Sequence, residues 1–275
     1  MPELPEVETV RRQLEPRLVG ARVVEAWAFA SPKFTGATAA TGGRLTSVGR
    51  RGKYLLLGLD GPAGEPGREL VVHLGMTGRL SVRPADGRDD VRSPYLRAAW
   101  VLDDGRTLEF HDVRRFGRIA VVPAGRYETL TTLAHLGPEP WDPSFDGASL
   151  RTYVNARRRF VKTLLLSQRP VAGVGNIYAD EALWRSRVHP MARRLTRDQA
   201  ARLVEAVREV LAEGVAHGGT TLRDYRDADG AEGGHQHQLD CYGRGGQPCR
   251  RCGVELRHVV VDARGTTFCP TCQRR

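Results

Sequence analysis

The sequence predicts an α+β fold, with an N-terminal antiparallel β-sandwich with flanking helices and a C-terminal helical domain that ends in a β-hairpin zinc finger. Three observations predict it. Short β-type runs, separated by Gly, Pro and Asp-Gly turn signals, fill residues 21–124. Helical spacing dominates from about residue 149. Two Cys-x-x-Cys pairs lie close to the last residue.

The composition indicates a folded, basic protein. The 275 residues suit two domains, and 40% of them are hydrophobic. The formal net charge of +10 leaves three possibilities open: nucleic acid, an acidic membrane surface, or no specific partner. No secretory signal is visible, and the apolar run at 54–59 is too short to cross a bilayer. We therefore expect no membrane partner and a reducing, cytoplasmic location.

We expect residues 1–133 to form the sandwich domain, with a Pro-rich linker at 134–148, a helical domain at 149–240 and the finger at 241–275. The first element is a helix over residues 6–18, which starts after Pro5. One face of this helix carries Val7, Val10, Leu14 and Leu18. Further along the chain, Thr196 and Gln199 predict a capping box, whereas the Gly-rich stretch 227–238 predicts a mobile loop.

The cysteine spacing is the strongest local motif. Two C-x2-C pairs separated by 16 residues can complete a tetrahedron of thiolates around one structural Zn²⁺. These cysteines are Cys249, Cys252, Cys269 and Cys272. Unpaired thiols or a redox pair are the alternatives. Cys241 stands apart as a candidate buried apolar cysteine, and Arg264, at the predicted hairpin turn, is either a phosphate contact or a solvated arginine.

Other motifs fit a nucleic-acid partner, although each has a simpler reading. Asn176 follows a Gly-x-Gly turn and either caps a helix or donates to a phosphate. The turns "HLGMTG" (73–78) and "HDVRRFG" (111–117) carry side chains that could enter a base stack, although the apolar ones could equally belong to the core. They are Met76, Arg114 and Phe116. A basic run, which we expect to lie on one helix, either contacts phosphates or forms a solvated face. It consists of Arg157, Arg158, Arg159 and Lys162.

Together these motifs resemble one family, the formamidopyrimidine-DNA glycosylases. The resemblance rests on "PELPEVE" (2–8), "GKYLLL" (52–57), the two turns above, "HLGPEP" (135–140), "GVGNIYADEAL" (173–183), "GGTTLRDY" (218–225) and the finger ending "FCPTCQ". It covers essentially the whole chain in one order. It implies a helix–two-turn–helix arrangement around "GVGNIYADEAL" and one structural zinc ion. The implied partner is double-stranded DNA with an oxidised base, bound by a nucleoid-associated monomer.

The resemblance also implies roles for residues. After removal of Met1, Pro2 is the nucleophile, Glu3 the acid/base at the sugar and Glu6 a supporting carboxylate. Lys53 and Arg264 assist β- and δ-elimination respectively. The DNA-contacting positions are Tyr95, Arg114, Arg157, Lys162 and Asn176, while Met76, Arg114 and Phe116 fill the space left by a flipped base.

Two alternatives remain open at this point. An endonuclease-VIII-like enzyme would act on oxidised pyrimidines, and a non-catalytic protein would only bind damaged DNA. Tyr95 stands where many relatives have a histidine cluster, and the segment "GGHQHQ" (233–238) lacks the aromatic residues that some relatives carry. Both departures concern lesion preference rather than the reaction.

Overall fold

A computed structural model describes residues 1–61, 66–85 and 93–274, except the side chain of Thr35. By packing, it divides into two compact units. The first comprises Met1–Ala134 and His217–Gly234, and the second comprises His135–Ala216 and His235–Arg275. The first segment ends close to the predicted boundary at 133. The segment 217–234, however, packs with the first unit instead of lying in a contiguous helical domain over 149–240.

The first unit contains the predicted antiparallel sandwich. The strands of one sheet are β1 (Val23–Ala28), β5 (Gly78–Arg83), β6 (Leu96–Leu102) and β7 (Thr107–Asp112). Those of the other are β2 (Leu45–Arg51), β3 (Tyr54–Leu59), β4 (Arg68–His73) and β8 (Arg118–Pro123). The first sheet has the order β1-β6-β7-β5 and the second has the order β2-β3-β4-β8.

Helix α1 (Leu4–Leu18) packs its apolar stripe into the core of this unit. Pro5 lies in its first turn, as predicted, and Val7, Val10, Leu14 and Leu18 are all buried. Burial of a Val or Leu side chain contributes about 1.5–3 kcal/mol, so this face fixes the helix against the sandwich. The orientation of the helix determines where its N-terminal residues lie.

The segment predicted as a mobile loop is held against α1 over its first residues. The side-chain amide of Gln13 donates to Asp227 at 2.8 Å and accepts from the backbone N–H of Ala228 at 2.9 Å. Arg17 also pairs with Asp229 at 2.5 Å. The prediction of mobility came from the Gly-rich composition alone. Composition could not reveal that Gln13, which is distant in sequence, offers this segment both a hydrogen-bond donor and an acceptor.

The second unit is helical, with a terminal hairpin. After the short α2 (Thr131–Ala134) of the first unit, the helices are α3 (Gly147–Asn155), α4 (Val161–Leu166), α5 (Asn176–Arg185) and α6 (Arg197–Ala216). The predicted capping box of α6 is present, because Thr196 Oγ1 accepts from Gln199 N at 3.2 Å and Gln199 Oε1 accepts from Thr196 N at 3.0 Å. The hairpin consists of β9 (Arg257–Val261) and β10 (Arg264–Phe268).

The basic run does not lie on one helix. The chain leaves the helical conformation between α3 and α4, and Arg157, Arg158 and Arg159 lie exposed in that connection. Tyr153 supports the break, since the Arg157 guanidinium stacks 3.5 Å from its ring centroid and donates to its carbonyl at 2.8 Å. Within the described ranges, no helix has the length and apolar character needed to span a membrane.

Candidate active site

The first turn of α1 carries a buried pair of carboxylates. Glu3 is the N-cap residue and is 2% exposed, and Glu6 is 1% exposed. The backbone N–H of Glu3 donates to Glu6 Oε2 at 2.7 Å. Pro2 is also buried, and Met1 precedes it on the surface. The helix start therefore holds the chain end in a fixed conformation instead of leaving it frayed.

Glu6 also joins α1 to the segment 217–234. Its Oε1 accepts from the backbone N–H of Thr220 at 2.7 Å. The Tyr225 hydroxyl donates towards the carbonyls of Glu6 and Gly218, at 3.3 and 3.2 Å. Burial and the negative charges of Glu6 and Asp227 raise the pKa of Tyr225, so its hydroxyl remains a donor. Glu6 is thus an anchor of the backbone around Glu3; its predicted action on the Pro2 amine stays a prediction.

Lys53 lies in the two-residue turn between β2 and β3 and is only 3% exposed. A buried ammonium in such a turn is unusual, because lysine rarely leaves water without a partner. The turn is fastened to α1 through Arg50, whose Nε donates to Glu8 at 3.0 Å and whose Nη1 donates to the Gly52 carbonyl at 3.0 Å. The structure therefore ties the Lys53 turn to the helix that carries Glu3.

His73 is a neighbour of this site that the sequence analysis missed. It ends β4 in register with Tyr54, and the two rings are in contact, tilted by 48° with centroids 4.6 Å apart. Burial, together with the positive charges of Lys53 and Arg118, lowers the pKa of His73 to about 4. The ring is therefore neutral at physiological pH. The available signal was the end of the predicted strand, where a histidine lies two residues before the "GMTG" turn.

The candidate void-filling residues lie on turns of the same unit. Met76 is half-buried between β4 and β5, whereas Arg114 and Phe116 are exposed between β7 and β8. Phe116 is 46% exposed, and the guanidinium of Arg114 lies 4.8 Å from its ring centroid. Phe116 is therefore not a core residue. Tyr95, also 46% exposed, lies beside this turn because its carbonyl accepts from Asp112 N at 2.9 Å.

In the second unit, the structure argues against the predicted DNA contact of Lys162 and against one of the two readings of Asn176, the helix cap. Lys162 is 1% exposed, and its ammonium pairs with Asp180 at 2.6 Å, so it is buried too deeply for the predicted DNA contact. Asn176 does not cap α5, because the cap position is Gly175; its amide instead donates to the Gly265 carbonyl at 3.0 Å. Arg264 is exposed at the start of β10. Arg157 is exposed, as noted above.

The four cysteines of the two C-x2-C pairs come together as predicted. The sulfur atoms of Cys249, Cys252, Cys269 and Cys272 lie within 4.8 Å of one another, which fits four Zn–S bonds of about 2.3 Å. Four thiolates fill a tetrahedral shell and leave no position for substrate, so the zinc that they would hold is structural.

The surroundings of one of these sulfur atoms, that of Cys249, favour its thiolate form. Burial raises the pKa of Cys249, but hydrogen bonds from the backbone of Arg251 and the indole N–H of Trp184 outweigh it and leave that pKa at about 6. Cys241 is not part of the cluster of ligands; it is fully buried and its thiol donates to the Thr267 carbonyl at 3.1 Å. The buried Glu181 holds the chain before the first cysteine pair, since it accepts from three consecutive backbone N–H groups at residues 240–242.

Fold and site together define a class of zinc-finger protein whose N-terminal helix presents a buried carboxylate beside the chain's second residue. Three family models cover most of this chain. The formamidopyrimidine-DNA glycosylase N-terminal domain matches residues 1–119, the H2TH domain of the same enzymes matches 136–226, and a zinc finger found in FPG and IleRS matches 246–275.

Individual relatives agree with these models. The chain is 48% identical over 277 residues to the formamidopyrimidine-DNA glycosylase of Thermus thermophilus, covering 99% of this chain and 98% of the relative. It is 46% identical over 281 residues to that of Deinococcus radiodurans, covering 99% and 97%. The chain belongs to the formamidopyrimidine-DNA glycosylase family.

Solved structures give the same answer. The crystal structure of the MutM (Fpg) protein of Thermus thermophilus superposes with a TM-score of 0.89 at 47% identity, covering 99% of this chain and 98% of that one. The Lactococcus lactis Fpg in complex with abasic-site DNA superposes with a TM-score of 0.87 at 32% identity, covering 99% and 100%. The predicted α+β fold and four-cysteine zinc finger are thus confirmed.

Proposed function

We propose that this chain is a bifunctional DNA glycosylase and abasic-site lyase that excises oxidised purines (8-oxoguanine and formamidopyrimidines) from duplex DNA in base excision repair. The observation that carries the proposal is the buried Glu3 directly after Pro2, locked at the start of α1 by Glu6. Family membership supports the reaction class. A relative of this family has been solved with DNA that contains Fapy-dG.

Pro2 supplies the nucleophile once Met1 is removed, because its nitrogen then changes from an amide into a secondary amine. An α-amine titrates near pH 8, well below a lysine, so a useful fraction is neutral near pH 7. Attack of this nitrogen on C1′ breaks the glycosidic bond, and the damaged base leaves with the bonding electrons and takes up a proton. The nitrogen loses its proton, the C1′–O4′ bond then breaks with its electrons going to O4′, which is protonated, and the product is an iminium ion. Glu3 serves as the acid/base at the sugar ring oxygen.

The iminium ion then permits strand cleavage. Its positive charge acidifies C2′–H, and loss of that proton expels the 3′-phosphate in β-elimination. Loss of the C4′ proton next expels the 5′-phosphate in δ-elimination. Lys53 assists the first elimination, and Arg264 binds the phosphate that leaves in the second.

The remaining assignments concern DNA binding. Met76, Arg114 and Phe116 occupy the space of the flipped nucleotide and contact the base left behind. Tyr95, Arg114, Arg157 and Asn176 contact the DNA, whereas the burial of Lys162 argues for a role within the protein. We infer that the enzyme acts as a monomer. We also infer that it works in the cytoplasm, in association with the nucleoid that contains its DNA substrate.

Borohydride trapping tests the proposal. Protein freed of Met1 is mixed with a duplex that carries one 8-oxoguanine opposite cytosine, and borohydride reduces any iminium to a stable cross-link, which is mapped by mass spectrometry. We expect a cross-link at Pro2. The matched control is the same chain with Met1 retained, in which the Pro2 nitrogen is acylated and no cross-link can form.

The other outcomes separate the alternatives. A cross-link that forms only with an oxidised-pyrimidine duplex would identify an endonuclease-VIII-like enzyme with the same chemistry. Tight binding to damaged duplex without any cross-link would instead identify a non-catalytic damage-binding protein.

A further inference from the structure

We propose that Lys162 and Asp180, acting through Thr266, are positioning residues that hold Arg264 in place for δ-elimination. The inference rests on the proposed function, because it takes the role of Arg264 from there. Both residues are buried, with each side chain 1% exposed. Their effect on the reaction is therefore indirect, through the backbone of the hairpin that carries Arg264.

A continuous chain of hydrogen bonds connects Lys162 to Arg264. The Lys162 ammonium donates to Thr266 Oγ1 at 2.8 Å, and the Thr266 hydroxyl in turn donates to the Arg264 carbonyl at 3.0 Å. The same ammonium donates to the Gly265 carbonyl at 2.8 Å. One buried cation thus engages the two residues that follow Arg264 and, through one of them, Arg264 itself.

Asp180 adds a hydrogen bond to the next residue of the hairpin, Thr267. Its Oδ1 pairs with Lys162 at 2.6 Å, and its Oδ2 accepts from the backbone N–H of Thr267 at 2.9 Å. Asn176, on the same helix as Asp180, donates to the Gly265 carbonyl at 3.0 Å. Side chains from α4 and α5 therefore hold three consecutive hairpin residues, 265–267.

The other side of Arg264 is held in the same way. The hairpin turn consists of Asp262 and Ala263, with φ of 45° and 60°, a left-handed conformation that side chains other than glycine adopt at a cost. Thr163 of α4 donates its hydroxyl to Asp262 Oδ2 at 2.6 Å. Such a turn persists only where its surroundings hold it.

These contacts distinguish a positioning role from a role in stability alone. A buried ion pair contributes little net stability, and well-packed apolar residues can often replace it without loss. What apolar residues cannot supply is the fixed direction of the three hydrogen bonds that Lys162 and Asp180 make to residues 265–267. The arrangement therefore serves the exposed Arg264 side chain, whose guanidinium must stay beside a phosphate that leaves only in the last chemical step.

The test compares two double variants of the Met1-processed, zinc-loaded enzyme on a pre-formed abasic-site duplex. K162M/D180L removes the hydrogen bonds without leaving a charge unpaired, whereas K162Q/D180N replaces both charges by amides that can still bond. The readout is the ratio of the 3′-unsaturated aldehyde, which β-elimination alone gives, to the 3′-phosphate end, which δ-elimination gives. We expect K162M/D180L to raise this ratio about tenfold, because the δ-elimination step should become about tenfold slower while β-elimination is unchanged. K162Q/D180N should stay within about twofold of the wild type.

A milder variant covers the case in which K162M/D180L does not fold. T266V keeps the shape of the side chain and removes only the hydroxyl that links Lys162 to Arg264, so it should raise the ratio in the same direction. Amide hydrogen exchange at residues 264–267 provides a readout independent of activity and should become faster in K162M/D180L and T266V.

Two results would overturn the inference. Folded, zinc-loaded variants that keep both the wild-type product ratio and the wild-type exchange rates would show that Lys162 and Asp180 do not position Arg264. Faster exchange with an unchanged ratio would show that the hairpin is held for another purpose. Failure of the proposed function has a different signature, because the wild-type enzyme itself would then leave the abasic strand uncut.

Discussion

The Asp112 carboxylate and the Thr77 hydroxyl are joined by a 2.6 Å hydrogen bond that links two turns of the sandwich. Thr77 follows Met76, and Asp112 precedes the turn of Arg114 and Phe116. Thr77 Oγ1 also accepts from the backbone N–H of Arg114 at 3.0 Å, and Asp112 Oδ2 accepts from Gly117 N at 2.7 Å. Asp112 is fully buried, so the two turns form one rigid unit.

The first prediction follows from this bond. Thr77→Val removes the hydroxyl and keeps the shape, which should cost about 1 kcal/mol of folding stability. The looser turns should lower kcat/KM for 8-oxoguanine excision about tenfold, because misplacement near the chemistry is costly. Cleavage of a pre-formed abasic site should change less, since the base has already left. Single-turnover kinetics on the two duplexes measure this difference.

Thr41→Val is the matched control for this variant. Like Thr77, Thr41 uses its hydroxyl as a hydrogen-bond donor, but the acceptor is the backbone carbonyl of Thr38, at 2.9 Å, on an exposed surface. Both activities should be unchanged in this variant. An equal loss of excision and of abasic-site cleavage in Thr77→Val would contradict the proposed role of the two turns.

Periodicity and spacing predicted the parts of this molecule that depend on local sequence. The buried stripe of α1, the capping box at Thr196 and the cluster of four cysteines all follow from residues only a few positions apart, or from a metal's fixed geometry. The antiparallel sandwich followed from short strands and turn signals in the same way.

The parts that the sequence did not predict depend on partners distant in the chain. Lys162 carries the same charge as Arg157. Lys162 is nevertheless buried, because it pairs with Asp180 and donates to the Gly265 carbonyl, whereas Arg157 is exposed. The segment 217–234 joins the first unit through Gln13 and Glu6, which precede it by about 200 residues. No local pattern could reveal either pairing.

The second prediction concerns Glu8. Burial disfavours its charge, but hydrogen bonds from Arg11, Arg12 and Arg50 outweigh burial and hold the pKa of Glu8 below its usual value. Glu8→Gln should therefore cost about 1–3 kcal/mol of unfolding free energy at pH 7 and loosen the Lys53 turn. In the wild type this contribution is present above pH 4.5 and is lost as the pH falls through the lowered pKa.

Urea denaturation measures this loss, and the rate of abasic-site cleavage reports on Lys53. Glu15→Gln is the control, because Glu15 pairs with Arg11 at the exposed end of the same network and is 49% exposed. It should cost less than about 0.5 kcal/mol. If both variants lose the same unfolding free energy, the hydrogen bond between Glu8 and Arg50 does not add to stability beyond what an exposed ion pair contributes.

The third prediction is a pH dependence from His73. Its pKa is lowered from 6.5 to about 4, so the unfolded chain binds more protons between these values. The contribution to stability is complete above pH 6.5 and is lost as the pH falls towards 4, by up to about 3 kcal/mol. His73→Asn keeps an acceptor for Gly75 N, which bonds to His73 Nδ1 at 3.2 Å, and removes the titration.

Denaturation at several pH values from 4 to 7 tests this dependence. The slope of unfolding free energy against pH should be smaller in His73→Asn than in the wild type. His237→Asn, at an exposed position, should leave the slope unchanged. The explanation fails if His73→Asn retains the full wild-type slope.

The fourth prediction separates the zinc ligands from the fifth cysteine. Cys252→Ser should release the metal, because removal of one thiolate opens the tetrahedral site, and damaged-duplex affinity should fall with it. Cys241→Ala should keep one zinc per chain and lose only about 1–3 kcal/mol of stability from the small cavity and the lost Thr267 contact. Metal analysis and thermal denaturation measure the two effects. Metal loss from Cys241→Ala would assign Cys241 to the site.

The fifth prediction compares two neighbouring glycines. Gly218 and Gly219 both have left-handed backbones, with φ of 70° and 85°. A Cβ on Gly219 would lie 2.8 Å from Glu6 Cγ and 2.9 Å from Glu6 Oε1, whereas on Gly218 the nearest atom would be 4.0 Å away. Gly218→Ala should therefore pay only the backbone cost of about 1 kcal/mol.

Gly219→Ala should carry that cost and also displace Glu6, which holds Glu3 and Thr220. We expect a further loss of about 1–3 kcal/mol and at least a roughly tenfold slower base excision, because the Glu3 backbone is no longer fixed. Denaturation and single-turnover excision, measured on both variants, isolate the contact with Glu6. If the two variants lose stability and rate equally, left-handed strain alone explains both, and Glu6 does not transmit the disturbance to Glu3.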